Sequence, residues 1–332
     1  MADESGVLVL GDSTGGELSS TSRELLTAGR KAADDLGEEL AIGLLGATLD
    51  QPSQQAISYG ADKVYAVTHP QLAQYQVDLY LAAMEALCRD VSPRVVLIGR
   101  TNEGRELAPR LAFRLGVGLA QDCLEISIDA GSKTLLANRP VYGGNAIAVV
   151  RCNYTPQIAA IRPKVYEPLD PDSSRQGQVV SFPVELDPSQ ARSQVVNVVE
   201  EAAEGVKLED ARVVVSGGRG LGGPEPFQDL EILAKLLGGA VGASRAAVDS
   251  GWVPSSYQVG LTGKTITPEV YITVAISGAS QHMAGCSGAK VIVAINKDAE
   301  SNIFKEARYG VVGDWEHVVP AFTEAVRELT QS

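Results

Sequence analysis

A chain of 332 residues is longer than one ordinary domain and is read as two. Its 45% hydrophobic and 21% charged residues suit a globular protein with a substantial core, and no apolar run approaches the roughly 20 residues of a membrane span. The net charge of −13, without a basic cluster anywhere, argues against a nucleic-acid partner, and membrane insertion is not expected either.

The first residues, Met1 to Glu4, end on two acids and run straight into Gly6–Leu10, so no secretory or transit peptide is expected in the chain as given. Four scattered cysteines (Cys88, Cys123, Cys152, Cys286) form no CxxC pair and read as reduced thiols of a cytoplasmic protein. The three histidines (His69, His282, His317) lack metal-site spacing, so no metal is expected.

In chain order, the first half alternates short apolar runs with amphipathic stretches. Strands are expected at Gly6–Leu10, Glu39–Leu45, Lys63–Thr68 and Arg94–Ile98. Helices are expected at Thr21–Leu36, Gln51–Tyr59, Val77–Arg89 and Glu103–Leu115. Such alternation implies a parallel sheet with helices on its faces. After Gly118 the period shortens to two at Leu124–Ile128, Lys133–Arg139, Ala146–Arg151 and Gln157–Ile161, which reads as hairpins closing the domain. From about residue 164, Pro163, Pro168, Pro171, Pro183 and Pro188 interrupt the pattern, and the segment reads as an extended connector. The domains are therefore placed at 1–200, connector included, and 205–332. In the second, strands are expected at Arg212–Val215, Gly239–Ala243, Tyr271–Ile276, Val291–Ile295 and Gly310–Val312. Helices are expected at Pro226–Leu237 and Glu316–Leu329. The fold class is α/β, with two doubly wound parallel sheets.

Every unusual polar or glycine-rich segment of the second domain follows one of those strands. These are Ser216–Gly223, Ser244-Arg245, Ser277–His282, Asn296–Asp298 and Asp314-Trp315. In an open α/β sheet the carboxyl ends of the strands line one crevice, where ligands bind. Gly218, Gly220 and Gly223 formally satisfy GxGxxG, which invites a nicotinamide reading. Pro224 and Pro226 interrupt the glycine-to-helix transition, and the second strand ends in Ser244-Arg245 instead of an acid for a ribose hydroxyl, so that context half fails. A tight turn without a ligand remains the plain alternative. Arg245 would stabilise negative charge developing on a ligand, or else merely solvate a loop. His282 taken alone reads more readily as a structural histidine than as a functional one, Trp315 is consistent with simple packing, and Gln258–Lys264 with an ordinary turn. No nucleophile elbow, Walker lysine or acid/base pair for hydrolysis is present. The crevice looks built to hold a cofactor.

Together these segments resemble the alpha subunit of electron-transfer flavoproteins. The carriers are Ser216–Leu221 (SGGRGL), Ser244–Asp249 (SRAAVD), Gln258–Lys264 (QVGLTGK), Ile276–Gly285 (ISGASQHMAG), Ala294–Asp298 (AINKD) and Tyr309–Asp314 (YGVVGD). In the first half only the run at 139–145 (RPVYGGN) matches as a motif; the rest is similar in layout. The resemblance implies a nucleotide-hydrolase-like N-terminal domain without its own cofactor and a Rossmann-like C-terminal domain binding FAD. It also implies a beta subunit covering the flavin in a heterodimer, a dehydrogenase as electron donor and a quinone reductase or similar acceptor. Some members instead bifurcate electrons through a second FAD in the beta subunit.

Carried over by position, Arg219, Ser244, Ser277, Gly278, Ala279, Ser280, Gln281, His282, Asn296, Asp314 and Trp315 would hold the FAD. Gln258, Val259, Gly260, Leu261 and Thr262 would approach the flavin, with Thr262 near N5. Arg245 would lie against the ring and His282 near its C2 carbonyl edge. Many relatives carry glutamine where this chain has Leu261, so a side-chain hydrogen bond is lost there. On this reading the protein is an electron carrier and not an enzyme in its own right. The alternative is a flavin- or nicotinamide-dependent oxidoreductase acting directly on a small substrate, which needs an acid or base aimed into the crevice. An interaction module without a cofactor would leave the aligned loops unexplained.

Overall fold

The computed structural model describes residues 4–144, 146–197 and 206–330. The chain divides into two compact units, Met1–Val199 and Glu200–Ser332. The boundary expected between 200 and 205 lies outside the described residues, as does Asn145 of the 139–145 run.

The first unit is built on β1 (Val7–Gly11), whose five residues are all buried. A strand covered on both faces reads as an unbroken apolar run. β2 (Ser13–Thr14) and β3 (Glu17–Leu18) form a small hairpin, and α1 (Ser20–Leu36) follows. The Ser19 hydroxyl accepts from the Ser22 amide at the start of α1, and Gly37, in the left-handed region, ends the helix. β4 (Leu40–Gly46), α2 (Asp50–Ser58), β5 (Lys63–Thr68), α3 (Val77–Val91), β6 (Val95–Gly99), α4 (Asn102–Leu115) and β7 (Leu119–Cys123) continue the alternation. Then come β8 (Glu125–Asp129), β9 (Thr134–Val141) and β10 (Ala146–Arg151), an antiparallel three-stranded sheet, followed by β11 (Gln157–Ile161) and β12 (Gln178–Ser181). The main sheet is parallel, in the order β12-β5-β4-β1-β6-β11-β7. Its two faces carry separate cores, one with Leu25, Leu26 and Ala56 and the other with Leu79, Met84, Leu87 and Leu111.

Two expectations are corrected. Gln157–Ile161 is not a hairpin strand: β11 inserts between β6 and β7, parallel to both, with all five residues buried. Its one polar side chain, Gln157, is satisfied by accepting from the Leu135 amide at 2.6 Å. The connector, in turn, is not wholly extended coil, because β12 adds an edge strand to β5. Asp62 anchors this region, accepting from the Leu40 amide and pairing with Arg30 of α1 and Arg175 of the connector, both at 2.7 Å.

The second unit contains β13 (Val213–Gly217), α5 (Phe227–Leu236), β14 (Ala240–Ala243), α6 (Arg245–Asp249), β15 (Val270–Val274), α7 (Ser280–Met283), β16 (Val291–Asn296), α8 (Ile303–Glu306), β17 (Tyr309–Val312) and α9 (Trp315–Thr330). Its parallel sheet runs β14-β13-β15-β16-β17. The chain thus leaves β13 to one side for β14 and returns to the other side for β15. That reversal opens a crevice beyond the ends of β13 and β15, the usual seat of a ligand in a doubly wound sheet. β15 stops two residues before its expected end because Ala275 adopts φ 54° and turns the chain out of the strand. Among the described residues no helix is long and apolar enough to cross a membrane.

Candidate functional site

The crevice begins where β13 ends. The Gly218 amide donates to the Val274 carbonyl at 2.9 Å, and a Cβ at Gly218 would sit 2.2 Å from the Ala275 carbonyl oxygen. Only glycine lets the two strand-end loops touch here. The chain then makes a single 3-10 turn, Arg219–Leu221, and α5 starts only at Phe227. The GxGxxG run therefore does not lead directly into a helix, as a dinucleotide fingerprint requires.

At the end of β14, the Ser244 amide donates to the Gly217 carbonyl at 2.9 Å, and α6 follows. The Ser244 hydroxyl oxygen is buried and has no hydrogen-bond partner among the described residues. Arg245 pairs with Asp249 one turn on at 3.2 Å, with side chains 68% and 61% exposed. In this chain alone the Arg245 cation is therefore solvated and paired, not desolvated.

The turn from Gln258 to Thr262 forms one wall. Val259 donates to the Ala243 carbonyl at 2.9 Å, Leu261 to the Gln281 carbonyl at 2.7 Å, and the Gln258 side-chain amide to the Thr262 hydroxyl at 2.9 Å. Gly260, at φ 146°, lies beside the Gln281 backbone, where an added Cβ would meet the carbonyl oxygen at 3.1 Å. Opposite it, the Asn296 side chain donates to the Ile276 carbonyl at 2.9 Å and accepts from the Asp298 amide at 3.0 Å. Ser301 donates to the Ser277 carbonyl at 3.1 Å, which ties the loops after β15 and β16 together.

These walls enclose a cavity of about 710 Å³, within the range of about 300–1,000 Å³ common for small-molecule sites. Arg219, Ser244, Arg245, all of Gln258–Thr262, Ser277, Ala279, Gln281, His282 and Asn296 line it. His282 is nearly buried, and Tyr271 of β15 lies 2.8 Å from its Nε2. Burial pushes the imidazole down to about 4, so it is neutral at physiological pH.

Residues 7–187 match the family described as "Electron transfer flavoprotein domain", and 207–287 match "Electron transfer flavoprotein FAD-binding domain". The chain is 42% identical over 330 residues to an electron transfer flavoprotein subunit alpha of Thermoanaerobacterium thermosaccharolyticum, covering 99% of this chain and 100% of the other. It is 41% identical to the corresponding subunit of Megasphaera elsdenii, covering 99% and 98%. It is also 37% identical to the "Acryloyl-CoA reductase electron transfer subunit beta" of Anaerotignum propionicum, covering 94% and 93%. The chain belongs to the electron-transfer flavoprotein alpha-subunit family.

Within this electron-transfer flavoprotein subunit, four residues carried over from sequence lie outside the cavity lining. Gly278 packs on the Ile303 backbone, where a Cβ would meet the amide nitrogen at 2.4 Å. Ser280 starts α7. Asp314 accepts from the Glu316 amide at the start of α9, and Trp315 packs against the core around Phe227 and Val319. Conversely, Asp249 and Ser301 line the cavity and were not singled out as site residues. The i, i+4 spacing of Arg245 and Asp249 was the available signal for the first; nothing local marks Ser301.

Proposed function

We propose that this chain carries one FAD in its C-terminal unit and passes electrons between a dehydrogenase and a downstream acceptor, as one half of an αβ heterodimer. The observation that carries the reading is the cavity itself. Loops from neighbouring strand ends enclose it, in the segment matching the family's FAD-binding domain. The orphaned Ser244 hydroxyl, the two guanidinium groups of Arg219 and Arg245, and the close backbone at Gly218 suit an anionic dinucleotide. Bound FAD would supply reversible one- and two-electron chemistry.

The chain's own residues would then hold and orient it. Ser244 and Arg219 would take phosphate or ribose oxygens, and Asn296 would fix the loops that they face. The Gln258–Thr262 turn would cover the ring, with Leu261 presenting an apolar surface that excludes water. Arg245 would face the ring from the rim, where a partner subunit would desolvate it. Acid/base chemistry on a substrate finds little support here. His282 is neutral, Nε2 is engaged by Tyr271, and Nδ1 is buried. That favours an electron carrier over an oxidoreductase acting on its own substrate.

The names of relatives support the partners. Several are electron transfer flavoprotein alpha subunits, and one is an electron transfer subunit of an acryloyl-CoA reductase. An acyl-CoA dehydrogenase-type donor, a beta subunit, a quinone reductase or similar acceptor and a cytoplasmic location follow as parts of the proposal. So does bifurcation, should the beta subunit hold a second FAD. The test is an absorption spectrum and flavin quantitation of the chain co-purified with its beta subunit, followed by stopped-flow reduction. One FAD per alpha chain, or two where the beta subunit holds its own, reduced only when a dehydrogenase is added, is expected. A colourless complex, or reduction by a small substrate without a dehydrogenase, would overturn the reading.

A further inference from the structure

Behind the cavity wall, Tyr271 is completely buried, and its phenol oxygen lies 2.8 Å from Nε2 of His282. The two rings are nearly parallel, 24° apart with centroids at 6.0 Å. The other ring nitrogen, Nδ1, is buried and makes no hydrogen bond of good geometry among the described residues, while the Val259 backbone lies against the imidazole as an acceptor. The same stretch of chain is sewn to the cavity turn, since Leu261 donates to the carbonyl of Gln281, the neighbour of His282.

Two proton arrangements are available to this pair. A neutral imidazole has one N–H and one bare nitrogen. Were the proton on Nε2, the bare Nδ1 would set its lone pair against the Val259 carbonyl oxygen, inside a buried site. With the phenol donating to Nε2, the proton sits on Nδ1, on the side of that carbonyl but short of a formed hydrogen bond. Burial also keeps the phenol protonated, so it always has a hydrogen to give.

We infer that Tyr271 is a positioning residue: it donates to Nε2, holds His282 in the Nδ1–H form, and so fixes the Val259–Thr262 turn that faces the ligand. The Ser216 hydroxyl, also buried, makes no hydrogen bond among the described residues. The tautomer and the anchoring do not depend on which ligand fills the cavity; the effect on FAD rests on the reading above.

The experiment labels histidine with 15N in the full chain with its beta subunit, with and without FAD, and records two-bond 1H–15N correlations. The chain has three histidines, and a His282→Gln variant identifies the relevant one. The wild type is expected to show a single Nδ1–H tautomer, and Tyr271→Phe a mixture together with about tenfold weaker FAD retention, the size of one buried hydrogen bond. An Nε2–H tautomer in the wild type overturns the inference, whether or not the variant folds. A folded Tyr271→Phe protein with unchanged tautomer and unchanged FAD affinity overturns it as well. A wild type that binds no FAD but shows the Nδ1–H form defeats the functional reading and leaves the tautomer assignment standing.

Discussion

Gly218 and Ala275 meet so closely that any side chain at 218 must displace a backbone carbonyl. Gly218→Ala is expected to cost about 1–3 kcal/mol, by the usual scale of overpacking, and to release flavin. Chemical denaturation with parallel flavin fluorescence would check it. Arg245 is a different case, because its pairing with Asp249 is exposed and contributes little to stability. Its removal should act on the flavin instead. A cation near the ring favours the state with more negative charge, so Arg245→Ala should lower the midpoint potential, by on the order of 1 kcal/mol in a water-like setting. Spectroelectrochemistry giving an unchanged potential with FAD bound would exclude the role. His282 adds a pH dependence. Its folded value of about 4 lies below the ordinary 6.5, so unfolding takes up a proton between them, and stability present at neutral pH is lost as pH falls through that window. Urea unfolding at pH 7 and pH 5 should differ by about 2 kcal/mol from this group, a difference that His282→Gln abolishes.

At the scale of elements, alternation of apolar runs with amphipathic stretches sufficed for the strands and helices of the doubly wound parts. The central runs, β1, β4 and β6, are buried along their whole length and therefore carry their own signature. It failed at Gln157–Ile161, where a short apolar strand looks the same in a hairpin as in the middle of a sheet. It failed too at β12, a mostly exposed edge strand that has no pattern of its own and pairs because β5 offers an open side. The connector's anchorage predicts a consequence. Asp62 would be pushed up by burial, but the Leu40 amide, Arg30 and Arg175 outweigh that and hold it below the usual carboxylate range. Asp62→Ala should destabilise the first unit by on the order of 2 kcal/mol and expose residues 164–181 to proteolysis. Equal stability and unchanged cleavage would show that the connector is held elsewhere.

For the whole molecule, an open cavity of this size at the rim of one unit would leave a flavin ring wet. The expected outcome is that the isolated chain loses FAD, while co-expression with the beta subunit retains it and raises apparent stability by mass action. Size-exclusion chromatography with flavin quantitation decides between these. A C-terminal fragment beginning near residue 206, co-expressed with the same partner, should remain yellow. Colour confined to residues 1–197 would refute the assignment.

The sequence alone determined the α/β class, the two-part organisation, and the segments that line the cavity, since glycine turns and polar residues directly after apolar strands reflect local backbone needs. It also carried the family, through six motifs in order. Only the tertiary structure decided which of those residues touch the cavity. Gly278, Ser280, Asp314 and Trp315 lie in the same motifs but not in the cavity lining, Asp249 reaches it with only its i, i+4 spacing from Arg245 as a signal, and Ser301 from a position that no local rule marks. Nor could sequence pair Tyr271 with His282, eleven residues apart on a strand and a helix. Side-chain direction at a strand end depends on the twist and order of the sheet, which neighbouring residues do not encode.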